Sequence, residues 1–324
     1  MDENIQKTAS LRHVRFVGRP KVEPPLLQDR TNPSSTKHRD VPALQSEQPC
    51  QFISWVFQRA GLEVDNYRYV ALQRRLPACL RALRSKNETH ARQLLDQNPN
   101  LLPKAIDALL IGVTEFLRDP AVFETLRTEI LSRFATFSRP LRVWSAGCSN
   151  GAELYSVAIV LAQAGLLEES FLLGSDCRRD AIEQARAALY KSSELQNLKP
   201  VDRHKYFYET KDLWQPIELL RRNLNWKVAD LARCIEGGPW DIILWRNMAI
   251  YFKTNAAELV WKGLVSSLAP DGVLITGRAE QPPASLPLIS VRRSIYHACS
   301  EMTAASSSVF SNKQTRVIKQ TRRY

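Results

Sequence analysis

From about residue 140 to residue 300, short apolar segments alternate with segments of helical periodicity. Strands are predicted for RVWS, FLLGSD, WDIILWRN, GVLITGR and SVRRSIYHA, which begin at residues 142, 171, 240, 272 and 290. Helices are predicted between them, for AELYSVAIVLAQAG, RRDAIEQARAALY and NAAELVWKGLVSSLAP. This order is typical of a mainly parallel sheet with helices on both faces, so we expect a doubly wound α/β fold.

The segment before residue 116 shows helical periodicity only. Phe52 with Val56, and Ile53 with Phe57, repeat at positions i and i+4, and Gly61 is placed to end this first helix. A second helix carries one apolar stripe, formed by Leu72, Leu76, Leu80 and Leu83. Further helical segments are HARQLLDQ and LPKAIDALLIGV. The pattern therefore predicts a small all-helical domain ahead of the sheet.

Composition and periodicity together divide the chain into five predicted parts. Residues 1–45 hold scattered proline, serine and charge without an apolar period, which indicates disorder. The predicted parts are a disordered basic tail (1–45), the helical domain (46–115), a linking helix region (116–140), the α/β domain (141–301) and a basic C-terminal tail (302–324). A small insert is expected within the α/β domain, at about residues 196–229.

The chain has a formal net charge of +12, part of which lies in the two tails. A basic protein favours acidic partners, which include nucleic acid, anionic lipid and acidic protein surfaces. No apolar run reaches the ~18 to 20 residues of a membrane span, so we expect no membrane insertion. The N-terminus lacks the apolar core of a secretory signal, and the six cysteines form no Cys-x-x-Cys pair. These features predict a cytoplasmic protein with reduced thiols and no metal site.

The first strand is followed by the turn AGCSNG, which contains Gly147 and Gly151. Glycines at this place let the backbone turn tightly and approach a ligand at the helix N-terminus. A P-loop would need Gly-Lys-Ser/Thr and a dinucleotide fold would need G-x-G-x-x-G, and neither is present. Asp176 ends the second strand, where a carboxylate accepts hydrogen bonds from ribose hydroxyls. The pair of features fits an adenosine ligand, and the looser glycine spacing favours S-adenosylmethionine.

Around these features the sequence resembles the chemotaxis receptor methyltransferases, the CheR family, in order from about Phe52 to Glu280. The segments that carry the resemblance are RRLPACLRALR, VTEFLRDPAVFETL, RVWSAGCSNGAELYS, GSDCRRDAIEQAR, WDIILWRNMAIYF and LAPDGVLITGRAE. The Arg-Asn-x-x-Ile-Tyr-Phe string is long and unusual, which makes the match specific. The resemblance implies a class I S-adenosylmethionine-dependent methyltransferase with a final antiparallel strand, which methylates glutamate side chains on receptor helices.

The resemblance also implies roles for individual residues of the donor pocket. It assigns Thr114 and Arg118 to the methionine end, Gly147 and Gly151 to the turn, Glu153 to the amino group, Asp176 to the ribose, Asp230 and Leu231 to the adenine, and Arg246 and Asn247 to closing the pocket. Tyr251 is expected where the incoming glutamate meets the sulfonium. Arg118 and Tyr251 act by positioning, because a sulfonium is a good leaving group and a carboxylate is already ionised. No strong base or metal is required.

The second helix carries arginines that fit receptor docking. Arg74 and Arg81 fall opposite the leucine stripe and Arg75 on its flank, and Arg75 and Arg81 match arginines of the family. We expect this face to dock on an acidic helical surface of a chemoreceptor or related signalling protein. A solvated helix face is the alternative interpretation. The insert segment YETKDLWQP has no glycine, which argues against tethering of a receptor tail there.

Several positions depart from the family pattern: Gly112 for Asn, Ala152 for Glu, Leu154 for Pro, Trp245 for Cys, and Arg278-Ala279 for His-Ser. Two alternatives remain open, and these departures are consistent with the first. One is a non-catalytic module that binds S-adenosylmethionine in a signalling complex. The other is a nucleic-acid methyltransferase, suggested by the basic tails. It is disfavoured because the string after the third strand is Arg-Asn-Met-Ala rather than Asn/Asp-Pro-Pro-Tyr/Phe.

Overall fold

A computed structural model of the chain describes residues 50–110, 112, 114–134 and 139–299. The tails expected at 1–45 and 302–324 lie outside the described residues. The helices are α1 (Gln51–Arg59), α2 (Tyr69–Ala82), α3 (Glu88–Gln97), α4 (Leu102–Leu109), α5 (Pro120–Thr125), α6 (Leu131–Phe134), α7 (Ala152–Gln163), α8 (Arg179–Ala187), α9 (Pro200–Tyr206), α10 (Glu218–Arg221) and α11 (Thr254–Ser266). The strands are β1 (Arg142–Ala146), β2 (Phe171–Asp176), β3 (Phe207–Thr210), β4 (Leu213–Pro216), β5 (Leu224–Val228), β6 (Trp240–Trp245), β7 (Leu268–Thr276), β8 (Leu288–Arg292) and β9 (Ile295–Ala298).

Seven of these strands form one sheet in the order β5-β2-β1-β6-β7-β9-β8. The strands from β5 to β7 pair in parallel, and β9 pairs antiparallel with β7. The predicted α/β fold with a final antiparallel strand is therefore confirmed. The chain leaves β1 toward β2 on one side and returns to β6 on the other. The order therefore reverses beside β1, where the carboxyl ends of parallel strands form a crevice.

The last predicted strand, SVRRSIYHA, is wrong as a single element. It is divided between β8 and β9, which pair antiparallel as a hairpin. The chain reverses at Arg293 and Ser294, and Ser294 takes a left-handed φ of 67°. Ser294 is the only residue of this turn of a type common in turns, and a single serine is too weak a signal to predict a reversal.

The segment at 196–229 contains two kinds of structure. β3 and β4 form a separate antiparallel hairpin, whose turn residues Lys211 and Asp212 both have positive φ. β5 instead joins the main sheet and pairs in parallel with β2. The hairpin is therefore inserted in the crossover from β2 to β5, and its Phe207 and Trp214 are buried in the same apolar cluster as the sheet.

Side chains of the sheet alternate between two cores, as the period of a strand requires. Trp144 and Ile243 point to one face, which is covered by α1 to α4 and α11. Val143 and Ile242 point to the other face, which is covered by α5, α6 and α7. Both faces are buried, which explains why β6 is an almost unbroken apolar run with all six residues buried.

The N-terminal helices do not close a core of their own. Their buried side chains, among them Ile53 and Phe57, belong to the same cluster as Trp144 and Trp245 of the sheet. Tyr67, between α1 and α2, stacks on Phe252 with ring centroids 5.1 Å apart. The helices and the sheet therefore share apolar contacts over a continuous region.

This shared core predicts how the protein unfolds. Ile53 is fully buried, so Ile53→Ala should lower the free energy of unfolding by about 2 to 5 kcal/mol and lower the melting temperature of the whole protein in one transition. Val70→Ala is the control, because Val70 is 50% exposed and its loss should change stability by less than about 0.5 kcal/mol. Calorimetry that resolves two transitions, with only one shifted by Ile53→Ala, would contradict a shared core.

Candidate active site

A cavity opens at the carboxyl ends of β1, β2 and β6, at the point where the strand order reverses. Its lining brings together eight of the residues assigned to the site from the sequence: Thr114, Arg118, Gly147, Glu153, Asp176, Arg246, Asn247 and Tyr251. Three of the assigned residues, Gly151, Asp230 and Leu231, are not part of this lining. Segments far apart in the chain therefore meet at one end of the sheet.

The loop between β1 and α7 forms one wall of the cavity. Gly147, Ser149 and Gly151 all have left-handed φ angles, of 81°, 52° and 88°. The Gly147 and Cys148 N–H groups donate to the carbonyl of Ser175 at 2.8 and 2.9 Å, which ties the loop to the end of β2. A side chain at Gly147 would meet Met248, another lining residue. The absence of a side chain at Gly147 therefore leaves room for the Met248 side chain at the cavity wall.

Gly151 has a different reason to be glycine. A Cβ atom there would lie 2.6 Å from the Trp226 ring and 2.9 Å from Ala185. Its positive φ of 88° also disfavours any other residue. The turn therefore needs this glycine so that α7 can pack closely against α8 and β5, behind the cavity.

Asp176 is buried, and its carboxylate is held from two sides. The Ser149 N–H donates to Oδ2 at 2.9 Å and the Arg178 N–H donates to Oδ1 at 3.0 Å. The Arg178 guanidinium also binds this carboxylate, with Nε 3.0 Å from Oδ1. Arg178 lines the cavity and was not singled out from the sequence, because its charge resembled that of any exposed helix residue.

Arg246 is the centre of a buried ionic cluster. Its side chain is 1% exposed, and it donates to Glu153 Oε2 at 3.1 Å, to Asp119 Oδ2 at 2.8 Å and to the carbonyl of Arg118 at 2.7 Å. Glu153 Oε1 accepts a second hydrogen bond from the Ser145 hydroxyl at 2.8 Å. The side chain of Arg246 therefore joins the end of β6 to the start of α7 and to the backbone that carries Arg118.

Glu280 holds the segment after β6 in place. Like Arg178, it was not assigned to the site from the sequence. Its buried carboxylate accepts N–H groups from Asn247 at 2.6 Å, Ala249 at 2.7 Å and Gly277 at 3.0 Å. Asn247 has a left-handed φ of 59°, a conformation that such anchoring holds in place. Burial raises the pKa of Glu280, while the three donors oppose that shift. Glu280 thus fixes the loop that leads to Tyr251.

Tyr251 ends a short 3-10 turn that begins at Ala249, and it is half-buried at the cavity. Burial raises the pKa of its hydroxyl, so it is protonated near neutral pH, while the positive charges of Arg118 and Arg75 oppose that shift. Arg75 also donates from Nε to the carbonyl of Ala108 at 3.1 Å. The arginine from α2 therefore lies close enough to the cavity to act on Tyr251.

Three of the six residues that depart from the family pattern lie in the core. Ala152 and Leu154 are fully buried in α7, and Trp245 packs edge-on against Trp261 with centroids 4.4 Å apart. Arg278 forms an ion pair with Asp119 at 3.6 Å, next to the Arg246 cluster. Among the departures, Gly112 alone belongs to the lining given for the cavity. Three of the departures therefore change packing, Arg278 and Ala279 are exposed, and Gly112 changes the cavity wall.

The sheet order, the glycine turn and the carboxylate at the end of the second strand define a class I S-adenosylmethionine-dependent methyltransferase. Residues 112–291 match the family model described as CheR methyltransferase, SAM binding domain. The chain belongs to the CheR methyltransferase family.

The chain is similar in sequence to curated relatives over most of its length. It is similar to the chemotaxis protein methyltransferase of Salmonella typhimurium, with 32% identity over 241 residues, which cover 71% of this chain and 81% of the relative. The protein of the same name from Listeria monocytogenes is 28% identical over 241 residues, covering 73% and 91%. That from Escherichia coli is 29% identical over 236 residues, covering 69% and 81%.

None of the helices in the described part of the chain is long and apolar enough to cross a membrane. Within the same residues, no group of three or more His, Cys, Asp and Glu side chains is arranged to hold a metal ion.

Asp230 supplies a test of whether the residues fit the adenosyl group. Its Oδ1 accepts the Ala232 N–H at 3.0 Å, while its Oδ2 is buried without a hydrogen-bond partner. Tyr67 and Cys177, which line the cavity, lie close enough for the charge of Asp230 to raise the pKa of each. A buried acceptor without a partner is unfavourable, and the exocyclic amino group of adenine is a suitable donor. We infer that Asp230 binds this amino group.

A role of Asp230 in binding adenine predicts that donor affinity depends on pH. Burial raises the pKa of Asp230 above its ordinary value, and an N–H donor favours the ionised form. Affinity for S-adenosylhomocysteine should therefore be full above that pKa and fall on acidification, by at most about tenfold per pH unit for one proton. Asp230→Asn should bind more weakly at neutral pH and lose this part of the dependence. Calorimetry from pH 7 down to about pH 4, close to the ordinary value of 3.8, compares the two proteins, and parallel profiles would contradict the assignment.

Proposed function

We propose that this protein transfers a methyl group from S-adenosylmethionine to glutamate side chains of a chemoreceptor-like signalling protein, forming glutamyl methyl esters. The observation that carries the proposal is the single cavity in which eight residues of the family's motifs meet. The chemistry of the lining also fits a donor with an amino group, a carboxylate and a ribose.

The donor is held by acidic groups and one arginine. Glu153 is positioned by Ser145 and Arg246 and is suited to the donor's ammonium group. Asp176 is suited to the ribose hydroxyls. Arg118 lines the same cavity, and its planar fork matches a carboxylate. Thr114 adds a hydroxyl beside it. Opposite charges at the two ends of the methionine moiety would set its direction in the cavity.

The chain's own residues then have to position the acceptor. When bound, the donor supplies a methyl group on a sulfonium, which needs no acid or base from the protein. Tyr251, protonated and half-buried at the cavity, has a hydroxyl that can orient an incoming carboxylate. Arg75 and Arg118 act on Tyr251 electrostatically and favour a negative acceptor at the same place. Catalysis would rest on alignment in a site that excludes water.

The docking surface is proposed on α2. Arg74 and Arg81 are exposed on this helix, whereas Arg75 is half-buried and bonded to Ala108. Exposed Arg74 and Arg81 would attract an acidic receptor helix, and Arg75 would be the member of the set nearest the reacting carboxylate. This division predicts that the three arginines contribute to different steps.

The test offers labelled donor and receptor-bearing membranes to the purified protein. We expect label in the receptor that is released by mild base, as a methyl ester requires. Label in nucleic acid would replace this proposal by a nucleic-acid methyltransferase. Donor binding without transfer to any component would support a non-catalytic module instead.

Variants separate docking from donor binding. Arg74→Glu with Arg81→Glu should replace attraction by repulsion, slow transfer and reduce its sensitivity to salt, while leaving affinity for S-adenosylhomocysteine unchanged. Arg118→Ala should weaken donor binding whatever acceptor is used. The matched control reverses two exposed charges on other helices, Arg133→Glu with Lys262→Glu. If both double variants behave alike, α2 is a solvated face and receptor docking lies elsewhere.

A further inference from the structure

Arg178 stands at the N-terminal cap position of α8, yet its side chain makes no capping hydrogen bond there. Its guanidinium turns back to Asp176 instead, with Nε 3.0 Å from Oδ1 and Nη2 3.3 Å from Oδ2. The backbone N–H groups of Arg178 and Ser149 take the other two positions on this carboxylate. A carboxylate has about four acceptor positions, so Asp176 is saturated by the protein itself.

The same guanidinium has a second carboxylate partner. Its Nη1 lies 3.0 Å from Oδ1 of Asp107, which belongs to α4. The Asp107 side chain is 32% exposed and that of Asp176 only 4%. Arg178 therefore bridges the buried carboxylate of Asp176 and the more exposed carboxylate of Asp107. Its guanidinium can remain bonded to Asp107 after its bonds to Asp176 are broken.

The space that Arg178 occupies depends on Gly112. A Cβ atom at Gly112 would lie 1.9 Å from Nη1 and 2.3 Å from the central carbon of the guanidinium. The carbonyl of Gly112 also accepts the Ser149 hydroxyl at 2.6 Å. Glycine at this position is thus what lets the arginine lie against the chain inside the cavity.

We propose that Arg178 sets the affinity for the donor by occupying the Asp176 oxygens that the ribose needs. The proposal rests on the donor site of the proposed function. The ribose hydroxyls can donate to Asp176 only after the guanidinium has moved toward Asp107. Nucleosides without both hydroxyls cannot replace both lost hydrogen bonds, so Arg178 also favours an intact ribose. Donor binding is thereby linked to α4, next to the proposed docking helix.

The first measurement is the affinity for S-adenosylhomocysteine by calorimetry. Arg178→Ala removes the competitor and should bind about tenfold more tightly than the natural protein, the value of one charge-assisted hydrogen bond. Arg179→Ala is the control, since Arg179 is the exposed neighbour, and its affinity should not change. Gly112→Ala is a second route, because its Cβ displaces the guanidinium without deleting it. It should also tighten binding.

A double-mutant cycle isolates the exchange between the two carboxylates. Asp107→Ala removes the alternative partner and should weaken binding, whereas in the Arg178→Ala background the same change should have no effect. Melting temperatures of all variants show that each is folded. An affinity that is unchanged or weaker in both Arg178→Ala and Gly112→Ala would overturn the proposal. Failure of the natural protein to bind the ligand at all would instead overturn the donor site.

Discussion

A buried positive charge holds the cavity together. The Arg246 side chain is almost completely enclosed and has Glu153, Asp119 and the Arg118 carbonyl as its partners. Removing one partner of such a cluster typically costs about 3 to 5 kcal/mol, because the remaining charge stays buried. The end of β6, the start of α7 and the segment before α5 therefore have to remain together. This requirement brings Arg118 to the same cavity as Glu153.

Glu280 fixes the position of the next loop in a similar way. Its carboxylate gathers three backbone N–H groups and holds Asn247 in a left-handed conformation. The loop then turns toward the cavity and presents Tyr251. The two anchors act on adjacent residues, since Arg246 and Asn247 are neighbours in sequence. Two charged groups thus shape this part of the cavity wall, and the parallel strands provide the rigid support.

Much of the fold was predictable from local patterns. The strand RVWS, the glycine turn and the buried run of β6 are continuous in the sequence, and each has a period or a composition that identifies it. The β8–β9 hairpin was missed because its turn, at Ser294, contains no glycine, proline, asparagine or aspartate. Arg178 was missed for another reason. Its contact with Asp107 spans 71 positions, and no local pattern distinguishes an arginine that turns inward from one that faces water.

The role of Gly112, which stands where the family has asparagine, is visible only in the structure. In the sequence it is an isolated difference from the family pattern. In the structure it makes room for the Arg178 guanidinium, which in turn saturates Asp176. Two residues more than sixty positions apart therefore depend on each other, and both lie at the expected ribose site. The family match identifies the donor, and we propose that these residues determine how tightly this chain binds it.

We propose that the donor binds Asp176 in the cavity, that Asp230 binds its adenine from beside the cavity, and that Arg178 gives up Asp176 to the ribose. A crystal structure of the protein with S-adenosylhomocysteine tests it most directly. The account predicts ribose hydroxyls on Asp176, the adenine amino group on Oδ2 of Asp230, and the Arg178 guanidinium retained by Asp107 alone. A nucleoside bound elsewhere, with Arg178 still paired to Asp176, would contradict it.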